Sequence, residues 1–179
     1  MDTNSNEKKK LENIGLKYLS KFEASENQFI IFLRDKIIKL EIASENDVIE
    51  KIVLKMKKLN YINDVRYSRL KCEQNLRNGS SKRFIIFKLK QKGICESIIN
   101  DCLKTLFKCE INEFAAALIY IRKKKIGVYY IGNDELDTMT KNKWIEKLSR
   151  RGFPYHIVKK GFEINNIQDA ENIINGMEI

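Results

Sequence analysis

Apolar residues recur at threes and fours along almost the whole chain, the period of helices with one buried face. Behind a polar start from Asn4 to Lys10, Leu11, Ile14, Tyr18, Leu19 and Phe22 mark a first helix. Ser25 then opens a segment to Leu40 with Phe29, Phe32, Leu33, Ile37 and Leu40 on its stripe. Ser44-Glu45-Asn46-Asp47 has the form of a capping box, with Asp in the usual Glu position, ahead of Val48, Ile49, Ile52, Val53, Met56 and Leu59. Asn63 or Asp64 caps a fourth helix that carries Val65, Leu70 and Leu76 and closes at Asn78-Gly79. Ser81 to Gln91, closed by Lys92-Gly93, and the stripe Ile98, Ile99, Cys102, Leu103, Leu106 give two more. An alanine-rich helix is predicted over Phe114 to Lys124. Gly127 to Gly132 breaks the pattern and reads as an ordered loop. Helices over Thr138 to Arg151 and Pro154 to Phe162, and a short one over Asp169 to Asn175, complete the chain.

The pattern repeats internally. An apolar residue, three others, a leucine and then basic residues occur at Phe29…Leu33, Ile85…Leu89 and Trp144…Leu148, offsets of 56 and 59 residues. Gly93 and Gly152 close the second and third copies, while the first continues through Ile37. These signals predict an all-α fold: tandem repeats of three-helix units in an elongated, curved helical array. The expected organisation is a flexible polar tail over 1–10 and repeats over 11–62, 63–109 and 110–179, the last with an inserted loop near 126–137. Repeats that share buried faces leave a long exposed surface, suited to gripping an extended partner.

Charge narrows the choice of partner. With 34 Lys and Arg against 24 Asp and Glu, the formal net charge of +10 favours a polyanion: nucleic acid, an acidic protein surface or anionic lipid. No apolar run approaches the roughly 20 residues that span a bilayer, and the first residues lack a signal-peptide core, so a soluble cytoplasmic protein is expected. Cys72, Cys95, Cys102 and Cys109 include no C-x-x-C pair and read as free cytosolic thiols. The spacing of seven from Cys95 to Cys109 leaves a metal or redox role as the alternative. His156 is the only histidine, no G-x-x-x-x-G-K-S/T loop is present, and Asp134 and Glu135 stand in a polar loop without convergent partners. Neither catalysis nor a cofactor is expected.

Several stretches coincide with a known pattern. Leu59-Asn60-Tyr61-Ile62-Asn63-Asp64-Val65-Arg66-Tyr67 resembles the G-Y-L-D-D-A-R-Y segment of the RecX family, with Asn60 in place of its glycine and Asn63 in place of its first aspartate. Arg77-Asn78-Gly79 through Arg83-Phe84-Ile85 to Leu89-Lys90-Gln91-Lys92-Gly93 is similar to the family's basic core. Ala115 to Gly127, followed by Leu148 to Tyr155, resembles alphaproteobacterial members. Together the matches run from about Leu16 to Phe162. The resemblance implies a regulator of the recombinase RecA, active in DNA repair, homologous recombination and the SOS response. It would lie in the groove of RecA filaments on single-stranded DNA, alter their growth, ATP turnover and co-protease activity, touch DNA directly but weakly, and work as a monomer away from membranes.

Contact candidates follow from the basic runs. Arg66, Arg69, Arg77, Lys82, Arg83, Lys88, Lys90 and Lys92 form the densest, with a solvated helix face as the plainer reading. Arg122, Lys123 and Lys124 end a helix, where cations also favour the helix dipole. Lys147, Arg150 and Arg151, with Lys141 and Lys143 nearby, repeat the theme. Phe84 and Trp144 fall beside the repeat's inward position and are assigned to packing rather than base stacking. The competing function is a sequence-specific helix-turn-helix regulator that acts without RecA, with Ser81 to Gln91 as recognition helix.

Overall fold

The structure, a computed structural model, describes residues 3–41, 46–107, 110–132 and 137–177. Among the described residues are ten α-helices, no strand, and a 3-10 turn at Gly127–Tyr129. In order they are α1 (Thr3–Leu19), α2 (Glu26–Lys39), α3 (Asn46–Lys58), α4 (Asp64–Arg77), α5 (Lys82–Gln91), α6 (Glu96–Leu106), α7 (Glu110–Lys124), α8 (Thr138–Arg150), α9 (Tyr155–Glu163) and α10 (Ile167–Asn175). The all-α expectation holds, and the chain is a helical repeat array of successive triplets with α10 added.

Two boundaries differ from the sequence reading. Residues expected as a flexible polar tail over 1–10 are helical from Thr3, because Glu7, Lys8, Lys9 and Lys10 are good helix formers and nothing there breaks the helix. Likewise α7 begins at Glu110 rather than Phe114. The Ser44 capping box, Cys109 and the pair Asp134 and Glu135 lie outside the described residues.

By contact the chain divides into two compact units, residues 1–68 with 90–98 and residues 69–89 with 99–179. The middle triplet contributes to both. The first unit is built on Leu11, Phe29, Leu33, Ile49, Ile52, Val53, Met56 and Ile62, with Tyr18 stacked on Phe32 at a centroid distance of 4.0 Å. Ser25 caps α2 in a capping box with Gln28. At the end of α3, Asn60 takes a left-handed backbone (φ 57) and the Tyr61 N–H reaches back to the Met56 carbonyl. Asn tolerates that conformation better than other non-glycine residues, which explains how this chain departs from glycine in its N-Y-I-N-D-V-R-Y segment.

The second unit is organised around α7, whose residues Ala115 to Ile121 are all buried. Gly79, after α4, lies against its backbone; a Cβ there would stand 2.8 Å from the Tyr120 nitrogen and 3.0 Å from the Ala116 oxygen. Small side chains on α7 make that approach possible. On another side, α10 is tied to α7 by Glu171, which accepts from Arg122 and from the Tyr129 hydroxyl, both at 2.6 Å.

Within each unit the same joint recurs. The buried Ser25 hydroxyl donates to the Lys92 carbonyl at 2.7 Å while accepting from the Gln28 N–H. Ser81, 56 residues on, donates to the Arg151 carbonyl at 2.6 Å and accepts from the Phe84 N–H. The residue after each carbonyl is glycine because the approach is close: a Cβ on Gly93 would lie 2.6 Å from the Asn27 Cβ, and one on Gly152 3.0 Å from the Arg83 Cβ. Asn27 and Arg83 are themselves one repeat apart. The serine that starts a middle helix in one repeat thus holds the turn that ends the middle helix in the next.

Candidate functional site

In the second unit, α7, α8 and the turn at Arg151 enclose an open groove of about 490 Å³ lined by Tyr120, Lys124, Lys143, Glu146, Lys147, Arg150 and Arg151. Five cations face one carboxylate, and that carboxylate is taken by Arg150 one turn along α8. The spacing explains the convergence: Lys143, Lys147 and Arg150 share one face of α8, and Tyr120 and Lys124 are one turn apart on α7.

Aromatic faces hold one of these cations. The Arg151 guanidinium lies 5.6 Å from both the Phe84 and Tyr120 ring centroids, and the Lys88 ammonium lies 5.4 Å from the centroid of Phe84. These cation–π contacts join the basic side of α5 to the groove and hold Arg151 in place while its charge stays exposed. Arg83, packed beside Gly152, continues the same surface. Such an arrangement offers multiple positive charges, two of them pre-positioned, to an extended polyanion.

The structure brings together Lys88, Lys124, Lys147, Arg150 and Arg151 from three separate stretches of sequence, and adds Lys143 and Tyr120. Tyr120 was missed because nothing in its helical stripe separates a groove floor from core; its only signal is the step of four to Lys124. Trp144 packs against Tyr130 and Phe162, whereas Phe84 is half-buried with its ring against Arg151 and Lys88.

Other candidates are engaged internally. Arg66 donates to Glu23 at 2.8 Å and to the Asn60 and Tyr61 carbonyls at 3.0 and 3.2 Å, so it closes the end of α3. Lys123 reaches the Asn78 carbonyl at 3.1 Å and its side chain at 3.2 Å, closing α4 in the same manner. Arg122 holds Glu171, Arg69 holds Glu73 at 3.0 Å, and Lys90 holds Glu96 at 3.2 Å. Lys82 lies over Phe107 at 5.6 Å; Lys92 is engaged through its backbone alone, its carbonyl belonging to the Ser25 joint. Arg77 is exposed and forms no ion pair among the described residues.

The motif residue Asp64 is structural too. Its Oδ1 accepts the Glu26 N–H at 2.8 Å at the start of α2, and burial pushes its carboxyl above the usual range despite that bond. Arg66→Ala should therefore lower stability by about 1–2 kcal/mol in a urea titration, by removing charge-assisted bonds to a carboxylate and two carbonyls. A stability equal to the parent would show that water replaces those bonds without loss.

Comparison with known proteins places this geometry in context. A family model described as "RecX, second three-helix domain" matches residues 63–103, which span α4, α5 and most of α6. The Regulatory protein RecX of Finegoldia magna is 32% identical over 149 residues, covering 83% of this chain and 68% of that protein. That of Myxococcus xanthus is 29% identical over 161 residues, covering 87% and 85%. Other RecX relatives are longer, and the chain spans 58% of their length. The crystal structure of RecX from Lactobacillus salivarius matches in fold with a TM-score of 0.66 at 20% identity, over 94% of this chain and 99% of that one.

Proposed function

Since the chain belongs to the RecX family of regulatory proteins, we propose that it binds RecA filaments on single-stranded DNA in their groove and inhibits filament growth, ATPase, recombinase and co-protease activity. It acts as a cytoplasmic monomer, without a cofactor, a membrane or chemistry of its own. The observation that carries this reading is the groove of Tyr120, Lys124, Lys143, Lys147, Arg150 and Arg151, joined through Phe84 to Lys88 on α5. Its charges suit both DNA phosphates and an acidic protein face, and contacts of either kind weaken with salt. No helix among the described residues is long and apolar enough to cross a membrane.

The competing helix-turn-helix reading is disfavoured by the start of α5. A recognition helix presents its N-terminal residues to base edges. Here that end is occupied: the Ser81 hydroxyl holds the Arg151 carbonyl, the Lys82 N–H donates to Glu113 at 3.2 Å, and Arg83 lies against Gly152. The deciding experiment titrates the protein into the DNA-stimulated ATPase of its cognate RecA, with and without excess DNA. Inhibition by substoichiometric protein that survives the excess supports a filament regulator. Inhibition that disappears with excess DNA would assign the protein to simple DNA competition.

A further inference from the structure

We propose, resting on the reading of the second unit's groove as a polyanion surface, that the joint between Ser81 and Arg151 doubles as the mount of that groove's anchoring cation. Ser81 and Phe84 are then positioning residues, acting on a bound polyanion through Arg151. Both structures meet in this one residue. The Arg151 carbonyl accepts from the buried Ser81 hydroxyl at 2.6 Å, and the same hydroxyl oxygen accepts the Phe84 N–H at 3.1 Å. The Arg151 guanidinium lies 5.6 Å from the ring centroids of both Phe84 and Tyr120. Further ties hold the turn: the Gly152 N–H donates to the Ser149 carbonyl at 2.8 Å, and buried Phe153 meets Tyr120 with centroids 6.3 Å apart. An ordinary surface arginine gives up its rotamer freedom when it binds. Arg151 has given much of it up on folding, yet remains exposed.

The joint in the first unit shows that closure does not need the rings. There the Ser25 hydroxyl donates to the Lys92 carbonyl at 2.7 Å and accepts the Gln28 N–H at 3.2 Å, the same two bonds. Gln28 stands where the next copy has Phe84, and its side chain turns back to accept the Ser25 N–H at 3.5 Å. Among the described residues no ring lies over Lys92. Two joints of one backbone design thus differ in what the basic residue at the turn can do. Lys92 takes part through its carbonyl, whereas Arg151 takes part through carbonyl and guanidinium together. The coupling is reciprocal: where a closed joint fixes the guanidinium, an anion on the guanidinium favours the closed joint by the same factor.

The test measures binding of a labelled single-stranded oligothymidylate to the full chain by fluorescence anisotropy at low salt. Phe84→Leu is expected to weaken binding about fivefold, and Phe84→Tyr, which keeps the ring face, to stay within about twofold of the parent. Phe84 also carries the Lys88 ammonium at 5.4 Å, so the cycle is closed in a chain with Lys88→Gln and Arg151→Gln. In that chain Phe84→Leu should change affinity by less than about twofold, which a purely structural role would not predict. Ser81→Ala and Ser25→Ala remove matching bonds, and only the first should weaken binding, by about threefold. In the parent, bound oligonucleotide should slow hydrogen exchange of the Phe84 amide and leave that of Gln28 unchanged, a readout independent of whether any variant folds. Parent-like binding by Phe84→Leu, an undiminished loss in the double-glutamine chain, equal losses from the two serine variants, unchanged Phe84 exchange, or a parent that does not bind the oligonucleotide would each overturn the mount. No RecA is present, so a parent without effect on the RecA ATPase would strike the filament reading and leave this result standing.

Discussion

Changing Lys124, Lys143 and Lys147 together to glutamate is expected to raise by at least about tenfold the amount of protein that half-inhibits the RecA ATPase. The three lysines are exposed on the groove walls, and none forms a hydrogen bond or ion pair among the described residues, so the helices that carry them should persist. Arg150 and Arg151 are left in place because the first pairs with Glu146 and the second rests on Phe84 and Tyr120. The comparison that gives the result meaning is an equal reversal at Lys21, Lys39 and Lys58, exposed residues of the first unit. If the reading is right, that control loses little, and the parent's advantage over the groove variant shrinks as salt is raised. Equal losses in both variants would mean that net charge, rather than this groove, attracts the filament. Unaltered helical circular dichroism in both is the check on folding.

Gly79→Ala should be strongly destabilising for a single-methyl change. Two effects add: a backbone at φ 78, which an L side chain adopts only with strain, and a Cβ wedged 2.8 Å from the Tyr120 nitrogen. The obstacle is the backbone of the central helix α7, buried from Ala115 to Ile121, so no flexible side chain can swing aside. Strain and overpacking together are expected to lower stability by roughly 3 kcal/mol, or roughly 10 °C in Tm for a chain of this size. Gly176→Ala supplies the contrast, since its φ is −80 and a Cβ there meets nothing closer than 3.4 Å. A thermal melt of the two variants side by side should separate them clearly. Similar midpoints would mean that α4 and α7 move apart more easily than their packing implies.

The helices were legible because periodicity reports directly on which face is buried. Ser25 caps α2 as the sequence implied, Asn63 caps α4 by accepting the Arg66 N–H at 3.0 Å, and Ser81, where the sequence began a helix, caps α5. The limits of α1 and α7 were less legible, since an apolar stripe marks where a helix is packed rather than where its hydrogen bonds stop. The candidate surface was legible only as separate runs. Local sequence cannot say that Arg66 and Lys123 turn inward onto helix-end carbonyls while Lys147 and Arg151 face open space, because each outcome depends on chain tens of residues away.

The seam made by Ser25 and Lys92, and again by Ser81 and Arg151, has a modular character. The first copy supplies the hydroxyl, the third the carbonyl followed by glycine, and the middle copy both, so a copy of the middle kind can receive one neighbour and hold the next through the same pair of groups. Free energy in such a chain behaves like that of a one-dimensional lattice, with one self term for each copy and one coupling term for each adjacent pair. Duplication or deletion of a middle copy would leave every remaining seam closed, so a chain built this way can change its length by whole repeats.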